Sequence, residues 1–294
     1  MTDIFIKNQA ESETQNLYNK VSNSLQTTPI IEKDYHFEFS IKEEKNTVKV
    51  LFYFGKKGIK KVIQGNPSES LNYILSEGKT EEEINEPKEY IGSDETGKGD
   101  VFGPLITCAF YTNIELTKKL KQLGVRDSKN LSDIQIKKIS TGIKKLGNDN
   151  FEIIAINPEK YNELYARFRN INEILNWSHS KAIENLLSKV SAATIITDKF
   201  RKKDLKFSKK FDNDAYNIIQ ETKAEKYVAV AAASILAKQK QIEWFEQKKK
   251  EGIELKRGAS NEVKLLIEKL IKEKDSESIN KIAKLHFKTV KNLL

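Results

Sequence analysis

Between residues 10 and 25 apolar side chains recur every three or four positions, with Leu17, Tyr18, Val21 and Leu25 among polar neighbours, which predicts an amphipathic helix. The period then drops to two. In YHFEFSI, residues 35–41, the side chains of Tyr35, Phe37, Phe39 and Ile41 fall on one face. TVKVLFYF, 47–54, is rich in β-formers, and the glycine turn in GKKGIKKVIQG, 55–65, leads into a third strand. PSESLNYILSEG, 67–78, opens on helix-capping residues and ends at a glycine. Helix, three strands and helix make a first domain over residues 1–80. The stretch that follows, KTEEEINEPKE, holds charge, a proline and few apolar positions, which predicts a linker over 81–88.

From residue 89 the pattern changes. EYIGSDETGKGDVFGPLITCAFY, 89–111, reads as strand, glycine-rich turn, strand. TKKLKQLGV and LSDIQIKKISTGIKKLG read as helices, and FEIIAIN, 151–157, as a strand. Residues 162–190 contain no proline and predict one long helix, and AATIITDKF, 192–200, another strand. The stretch 226–250 begins β-like and runs into a helix, and the tail, 261–294, carries two helical segments. Strands with helices between them make 89–294 an α/β domain. No internal repeat is present.

Charge and cysteine content narrow the class. The 51 Lys and Arg against 42 Asp and Glu leave a formal charge of +9, which suits a polyanion such as nucleic acid and equally suits lysines spread over solvated faces. The single cysteine, Cys108, excludes an internal disulfide and fits a reducing, cytoplasmic setting. Three histidines far apart in sequence argue against structural zinc. The longest apolar run, Tyr227–Ala237, is about half a membrane span. The start, MTDIFIKNQAESETQ, lacks a basic-then-apolar signal, so neither secretion nor a membrane is expected.

GSDETGKG, residues 92–99, stands one residue from the phosphate-cradling Gly-x-x-x-x-Gly-Lys-Ser/Thr loop. Three features exclude that loop. Gly99 replaces the hydroxyl that would ligate Mg²⁺. The following DVFGPLITCAFY reads as a strand and not as a helix aimed at phosphates. Asp94 and Glu95 would repel a phosphate unless metal ions stood between. Two acids closing an apolar strand suit Mg²⁺ or Mn²⁺ instead. Gly97 and Gly99 leave the backbone bare for a sugar–phosphate chain, and Lys98 offsets phosphate charge. The plain alternative is a hairpin turn with two solvated acids.

Further acids follow the same grammar. TIITDKF closes a β-branched strand with Asp198, and TKAEKYVAVAAASILAK sets Glu225, as a helix cap or as a ligand, before the most apolar stretch of the chain. Four carboxylates holding two divalent ions about 4 Å apart suit in-line hydrolysis of a phosphodiester.

These segments resemble the type 2 ribonucleases H, and specifically bacterial ribonuclease HIII. The resemblance is carried by IGSDETGKGDVFGP, RDSKNLSD (126–133), ILNWSHSKAI (174–183), ITDKF (196–200), AVAAASILAK (229–238), KRGAS (256–260) and IAKLHF (282–287), in order across 89–294. Lys98 and the Phe102–Gly103–Pro104 that follows are similar to the HIII branch rather than HII. The resemblance implies an α/β ribonuclease H-like catalytic domain, a mixed central sheet flanked by helices, behind a small α+β domain like half of a TATA-box-binding protein (TBP-like) that grips substrate. It implies Asp94, Glu95, Asp198 and Glu225 as catalytic ligands of two Mg²⁺ or Mn²⁺ ions. Glu225 stands one residue closer to Ser234 than the family pattern, so Asp212 or Asp214 in FDNDAY is the alternative fourth acid.

The expected reaction is hydrolysis of the RNA strand of an RNA/DNA hybrid to 3′-hydroxyl and 5′-phosphate ends by a monomer without an obligate protein partner. Backbone at Gly97, Lys98 and Gly99 is the expected reader of the 2′-hydroxyl. Ser128 and Lys129 are expected near the site, Lys129 on a phosphate. Lys56, Lys57, Lys60 and Lys61 flank a turn of the first domain, where they can meet phosphates or remain solvated. The aromatics of its strands read as core. His179 and His286 raise a metal-free route through the 2′-hydroxyl, but both sit among apolar residues and read as core or hydrogen-bonded helix residues. Two rivals remain: a type HII enzyme that nicks at single embedded ribonucleotides, and a non-catalytic nucleic-acid-binding module.

Overall fold

Helix α1 (Ile4–Ser22) begins earlier than the periodicity predicts, and presents Ala10, Thr14, Leu17 and Val21, three or four apart, to a sheet. The sheet holds β1 (Gln26–Thr27), β2 (Ile31–Lys33), β3 (His36–Lys42), β4 (Thr47–Gly55) and β5 (Gly58–Gln64), all pairings antiparallel, and α2 (Glu69–Leu75) follows it. Alternation sorts its residues. Phe39, Ile41, Val48, Val50 and Phe52 are buried in one cluster with Leu17, Val21, Leu71 and Leu75 of the two helices. The other face runs through the register partners His36, Tyr53 and Lys60. This is a computed structural model; it describes residues 4–43, 46–55, 58–75, 86–199, 205–208, 211–273 and 275–292. The chain divides into two units, Met1–Ile84 and Asn85–Leu294.

The second unit is built on β6 (Glu89–Thr96), β7 (Leu105–Asn113), β8 (Phe151–Ile156), β9 (Thr194–Asp198) and β10 (Asn217–Glu221), in the spatial order β10-β9-β6-β7-β8. The pairs β10/β9 and β9/β6 are parallel, and β6/β7 and β7/β8 antiparallel, so the sheet is mixed. Between β7 and β8 come α3 (Ile114–Gln122) and α4 (Asp133–Lys144). The stretch predicted as one long helix is two, α5 (Pro158–Phe168) and α6 (Ile171–Leu187). The break needs no proline: Arg169 adopts φ 53° and the Asn170 side chain accepts from the Asn172 N–H to cap α6.

Residues 226–250 contain no strand. After a short 3₁₀ turn at Ala224–Lys226, α7 (Val228–Lys250) is helical from its first residue. Every residue from Val228 to Ala237 is buried, so the segment shows no polar face and no period. α7 lies directly on β6: a Cβ at Gly92 would come 2.4 Å from the Val230 nitrogen. The opposite face of the sheet packs Ile91, Ala109 and Ile195 against Ala182, Ile183 and Leu186 of α6. The tail forms α8 (Asn261–Glu273), α9 (Ser276–Asn280) and α10 (Lys288–Lys291), whose apolar residues cover Val101, Phe102 and Phe245. Among the described residues no helix is long and apolar enough to cross a membrane.

Candidate active site

The site lies at the carboxyl end of β6. Ser93 of β6 is in parallel register with Thr197 of β9, so the next residues, Asp94 near the end of β6 and Asp198 at the end of β9, lie side by side on the same face. That face carries α7, and the Ser234 hydroxyl bonds the Asp94 carboxyl. Burial first, and then the charges of Glu95 and Asp198, push Asp94 up to about 8, against the pull of its hydrogen bonds.

Glu95 points to the α6 side. His179, fully buried on α6, places Nε2 3.1 Å from Glu95 Oε2 and Nδ1 2.9 Å from Ser93 Oγ. For a neutral ring both bonds are satisfied when Nε2 carries the proton and Nδ1 accepts from the serine. Burial pushes Glu95 up, but the His179 bond, with the Lys98 ammonium at 3.8 Å, overrides it and holds the carboxyl below its usual range.

Asp198 Oδ1 accepts from the Ala224 N–H at 3.4 Å, which draws the turn before α7 over the strand end. Glu225 in that turn meets Lys129 Nζ at 2.6 Å. Burial raises it, and the lysine, overriding burial, holds it below the ordinary value. Lys129 in turn feels the charge of Asp94. The loop that carries it is docked on α7, with Ser128 Oγ 2.9 Å from Ser234 Oγ and Lys238 Nζ donating to the Ser128 carbonyl at 3.0 Å. Asp212 and Asp214 are exposed and precede β10, whereas Asp198 registers with Glu221 at its far end. A strand of that length spans about 15 Å, so these two acids lie at the opposite edge of the sheet from Asp198.

Asp94, Glu95 and Asp198 therefore lie at one end of the sheet, with the turn that carries Glu225 drawn over it, and each acid has its own partner. Among the described residues no three His, Cys, Asp or Glu side chains are gathered tightly enough to hold one ion. Glu95 is turned to His179 and Glu225 to Lys129. The donor set itself, hard carboxylate oxygens whose mutual repulsion a cation relieves, fits a divalent ion.

In the glycine loop, Gly97 has φ +86°, and a Cβ there would come 2.1 Å from the Pro104 oxygen, so its bareness serves the loop's own packing. Gly99 is exposed, and a Cβ there would meet nothing within 4 Å. In the first unit Lys60 is exposed beside Tyr53, whereas Lys61 lies on the helix side of the sheet and donates to the Leu75 carbonyl at 2.7 Å. Lys56 and Lys57 lie outside the described residues.

His179 and Glu221 take positions beside these acids that periodicity did not reveal. Ser93 and Glu95, two apart on one face of β6 beyond the buried Ile91, were the available sign that a buried polar partner must face them. Glu221 is the register neighbour of Asp198 and is engaged by Lys226 Nζ at 3.2 Å and the Tyr227 hydroxyl. His286, half-buried, stacks on Tyr165 at 4.3 Å.

A model of the family Ribonuclease HII matches residues 91–290. The chain is 40% identical over 210 residues to the ribonuclease HIII of Protochlamydia amoebophila, covering 70% of this chain and 68% of that protein. It is 36% identical over 245 residues to the ribonuclease HIII of Chlamydia pneumoniae, covering 78% and 80%. Among solved structures it is similar to Bst-RNase HIII in complex with Mn2+, with TM-score 0.64, 25% identity and 95% of each chain covered.

Proposed function

This chain belongs to the ribonuclease HII family, with ribonucleases HIII as its curated relatives, and is a ribonuclease H enzyme; from that premise we propose that it hydrolyses the RNA strand of RNA/DNA hybrids with Mg²⁺ or Mn²⁺ held by Asp94, Glu95, Asp198 and Glu225. The observation that carries this reading is the carboxyl edge of β6 and β9, where Asp94, pushed up to about 8, feels the charges of Glu95 and Asp198. Acids arranged against one another in this way are stabilised by a cation. The Mn2+ bound by the similar Bst-RNase HIII structure supports the same choice.

When bound, two divalent ions supply a nucleophilic water at neutral pH and charge that stabilises the leaving 3′-oxygen, which leaves 3′-hydroxyl and 5′-phosphate ends. The chain's own residues do the rest. Asp94 gives up its proton on loading, and the Ser234 hydroxyl stays on its carboxylate. His179 holds Glu95 in one orientation. Lys129 leaves Glu225 for a substrate phosphate, and Ser128 keeps the lysine's loop on α7. Backbone at Gly97–Gly99 reads the ribose 2′-hydroxyl, with Lys98 beside it on the phosphates. In the first unit, a TBP-like substrate-gripping domain in this reading, Lys60 and Tyr53 on the open sheet face offer charge and a flat surface to the duplex. In this reading the enzyme acts in the cytoplasm as a monomer.

The test is cleavage of an end-labelled RNA/DNA hybrid with Mn²⁺ or Mg²⁺. The expected products carry 3′-hydroxyl ends, EDTA stops the reaction, and a DNA duplex with one embedded ribonucleotide is cut poorly. Cyclic-phosphate ends in EDTA, or a hybrid bound without cleavage, would sink the proposal.

A further inference from the structure

The glycine loop is fastened by residues distant in sequence that no step above employs. Asp100 follows Gly99 directly, and its carboxylate accepts twice, from Gln241 Nε2 at 2.6 Å and from the Gly258 N–H at 2.6 Å. Gln241 is 2% exposed and turns its Oε1 to the Thr96 hydroxyl at 3.3 Å, so one amide spans both ends of Gly97–Gly99. Beneath the exit of the loop lies Lys284, fully buried, with Nζ donating to the carbonyls of Asp100 at 2.9 Å and Gly103 at 2.6 Å. The main chain repeats the connection: the Val101 N–H donates to the Gly258 carbonyl at 3.0 Å, the Lys284 N–H to Val101 at 2.8 Å and the Gly103 N–H to Ile282 at 3.0 Å.

A buried ammonium is costly without acceptors, and burial pulls Lys284 down to about 7. For packing alone an apolar side chain would do at that position. What the lysine adds is direction, since two carbonyls of one turn are aimed at a single point. The same holds for Asp100, whose two acceptors fit one amide from α7 and one N–H from the loop before α8.

We propose that Asp100 is the positioning residue of the Gly97–Gly99 loop, and that the segment from Gly258 to Lys284 acts on the reaction through it. Asp100 sets the height and tilt of the bare backbone, Gln241 couples the two ends of the loop, and Lys284 fixes its exit. This rests on the reading of Gly97–Gly99 as the part of the chain that meets the ribose. Loosening the tie then weakens substrate capture and leaves the carboxylates intact.

Charge exchange across the tie tests it in the full chain. Gln241→Glu sets two carboxylates against each other; adding Asp100→Asn lets the asparagine amide donate to the new carboxylate while its oxygen still accepts from Gly258. On a defined RNA/DNA hybrid the single change is expected to raise KM about tenfold with kcat largely kept. Mn²⁺ affinity by calorimetry stays unchanged, and amide hydrogen exchange over 97–101 quickens. The double change is expected to return KM to within about threefold of the original. An unchanged KM and exchange in Gln241→Glu, or a loss that the second change does not recover, overturns the proposal. If Gln241→Glu does not fold, Asp100→Ala, at a half-buried position, decides by the same pair of readouts. Gly99→Ala separates the underlying reading, because nothing lies within 4 Å of the added methyl. If it leaves KM unchanged, the loop does not meet the ribose, and hydrogen exchange in Gln241→Glu still judges the tie.

Discussion

At the end of β6 two adjacent carboxylates meet opposite surroundings. On the α7 side Asp94 has a hydroxyl for company and two acids near it, and its carboxyl is pushed up to about 8. On the α6 side Glu95 has a buried imidazole and a lysine, and its carboxyl is held down. The strand supplies the contrast, because consecutive side chains leave it on opposite faces. The lesson is that an Asp-Glu pair is not one feature repeated. In the proposed reading one acid gives up its proton to an incoming cation, and the other, held down by its partners, stands ready beside it.

The largest effect tests whether both acids serve one reaction while differing in stability. Asp94→Asn and Glu95→Gln should each lower kcat at least about a thousandfold on an RNA/DNA hybrid, since in the proposed function each removes a ligand of the charge that stabilises the transition state. Their melting behaviour should diverge. Asn mimics the protonated acid, so Asp94→Asn should gain about 2–4 kcal/mol at neutral pH in metal-free protein. Glu95→Gln leaves His179 facing an amide in a dry site and should lose about 1–3 kcal/mol. Denaturant melts in EDTA read both signs, and shifts of the same sign would end the contrast.

The next effect asks which further acid belongs to the Asp94 side. Glu225→Gln should cost about a hundredfold in kcat, and Asp214→Asn should stay within about twofold, because Asp214 is exposed at the far edge of the sheet. Steady-state kinetics decide it, and the reverse order would move the fourth ligand to the residues before β10.

His179 probes the other side. His179→Ala removes the donor that orients Glu95 and should lower activity about 10–100-fold, mainly through weaker Mn²⁺ binding measured by calorimetry. An activity loss with Mn²⁺ affinity intact would assign the imidazole to packing alone.

How far this contrast was legible in sequence depends on what each residue rests on. The acids at strand ends were readable, because an apolar β-branched run closing on a carboxylate is a local pattern, as in the segment ending at Asp198. The mixed sheet flanked by helices agrees with the fold read from the resemblance. The helical start of α7 was not readable, because a helix buried all round carries no period. Nor was the partner of Glu95: His179 lies 84 positions on, and nothing local says which strand an apolar helix will cover. The short edge strand β10, largely half-buried, gave too weak a pattern to be seen, and with it went the register that sets Glu221 beside Asp198.

The pH dependence of the metal-free protein sharpens the same contrast. Unfolded, Asp94 ionises near the ordinary 3.8; folded, it keeps its proton up to about 8. The folded state thus binds more protons between those values, and stability falls as pH rises, by at most about 1.4 kcal/mol per pH unit. Glu95 works the other way: its stabilisation is present above the ordinary 4.5 and is lost as pH falls through its depressed value. Melting temperature in EDTA should therefore decline from about pH 5 to pH 8, and Asp94→Asn should flatten that decline. A slope that survives the substitution would assign the proton to another group.

The smallest effect carries the alternation into the first unit, where Lys60 and Lys61 are neighbours on β5. Lys60 is exposed in register with Tyr53, and Lys61 donates to the Leu75 carbonyl at the end of α2. An exposed lysine on a phosphate contributes about 1 kcal/mol or less, so Lys60→Ala should raise KM a few-fold, flatten its salt dependence and leave melting unchanged. Lys61→Ala should do the reverse, lowering the melting temperature of the unit with KM nearly constant, because a helix carbonyl loses its donor. If both substitutions raise KM alike, the face of the strand does not decide which lysine meets the duplex, and the sorting that separates Asp94 from Glu95 does not extend to this sheet.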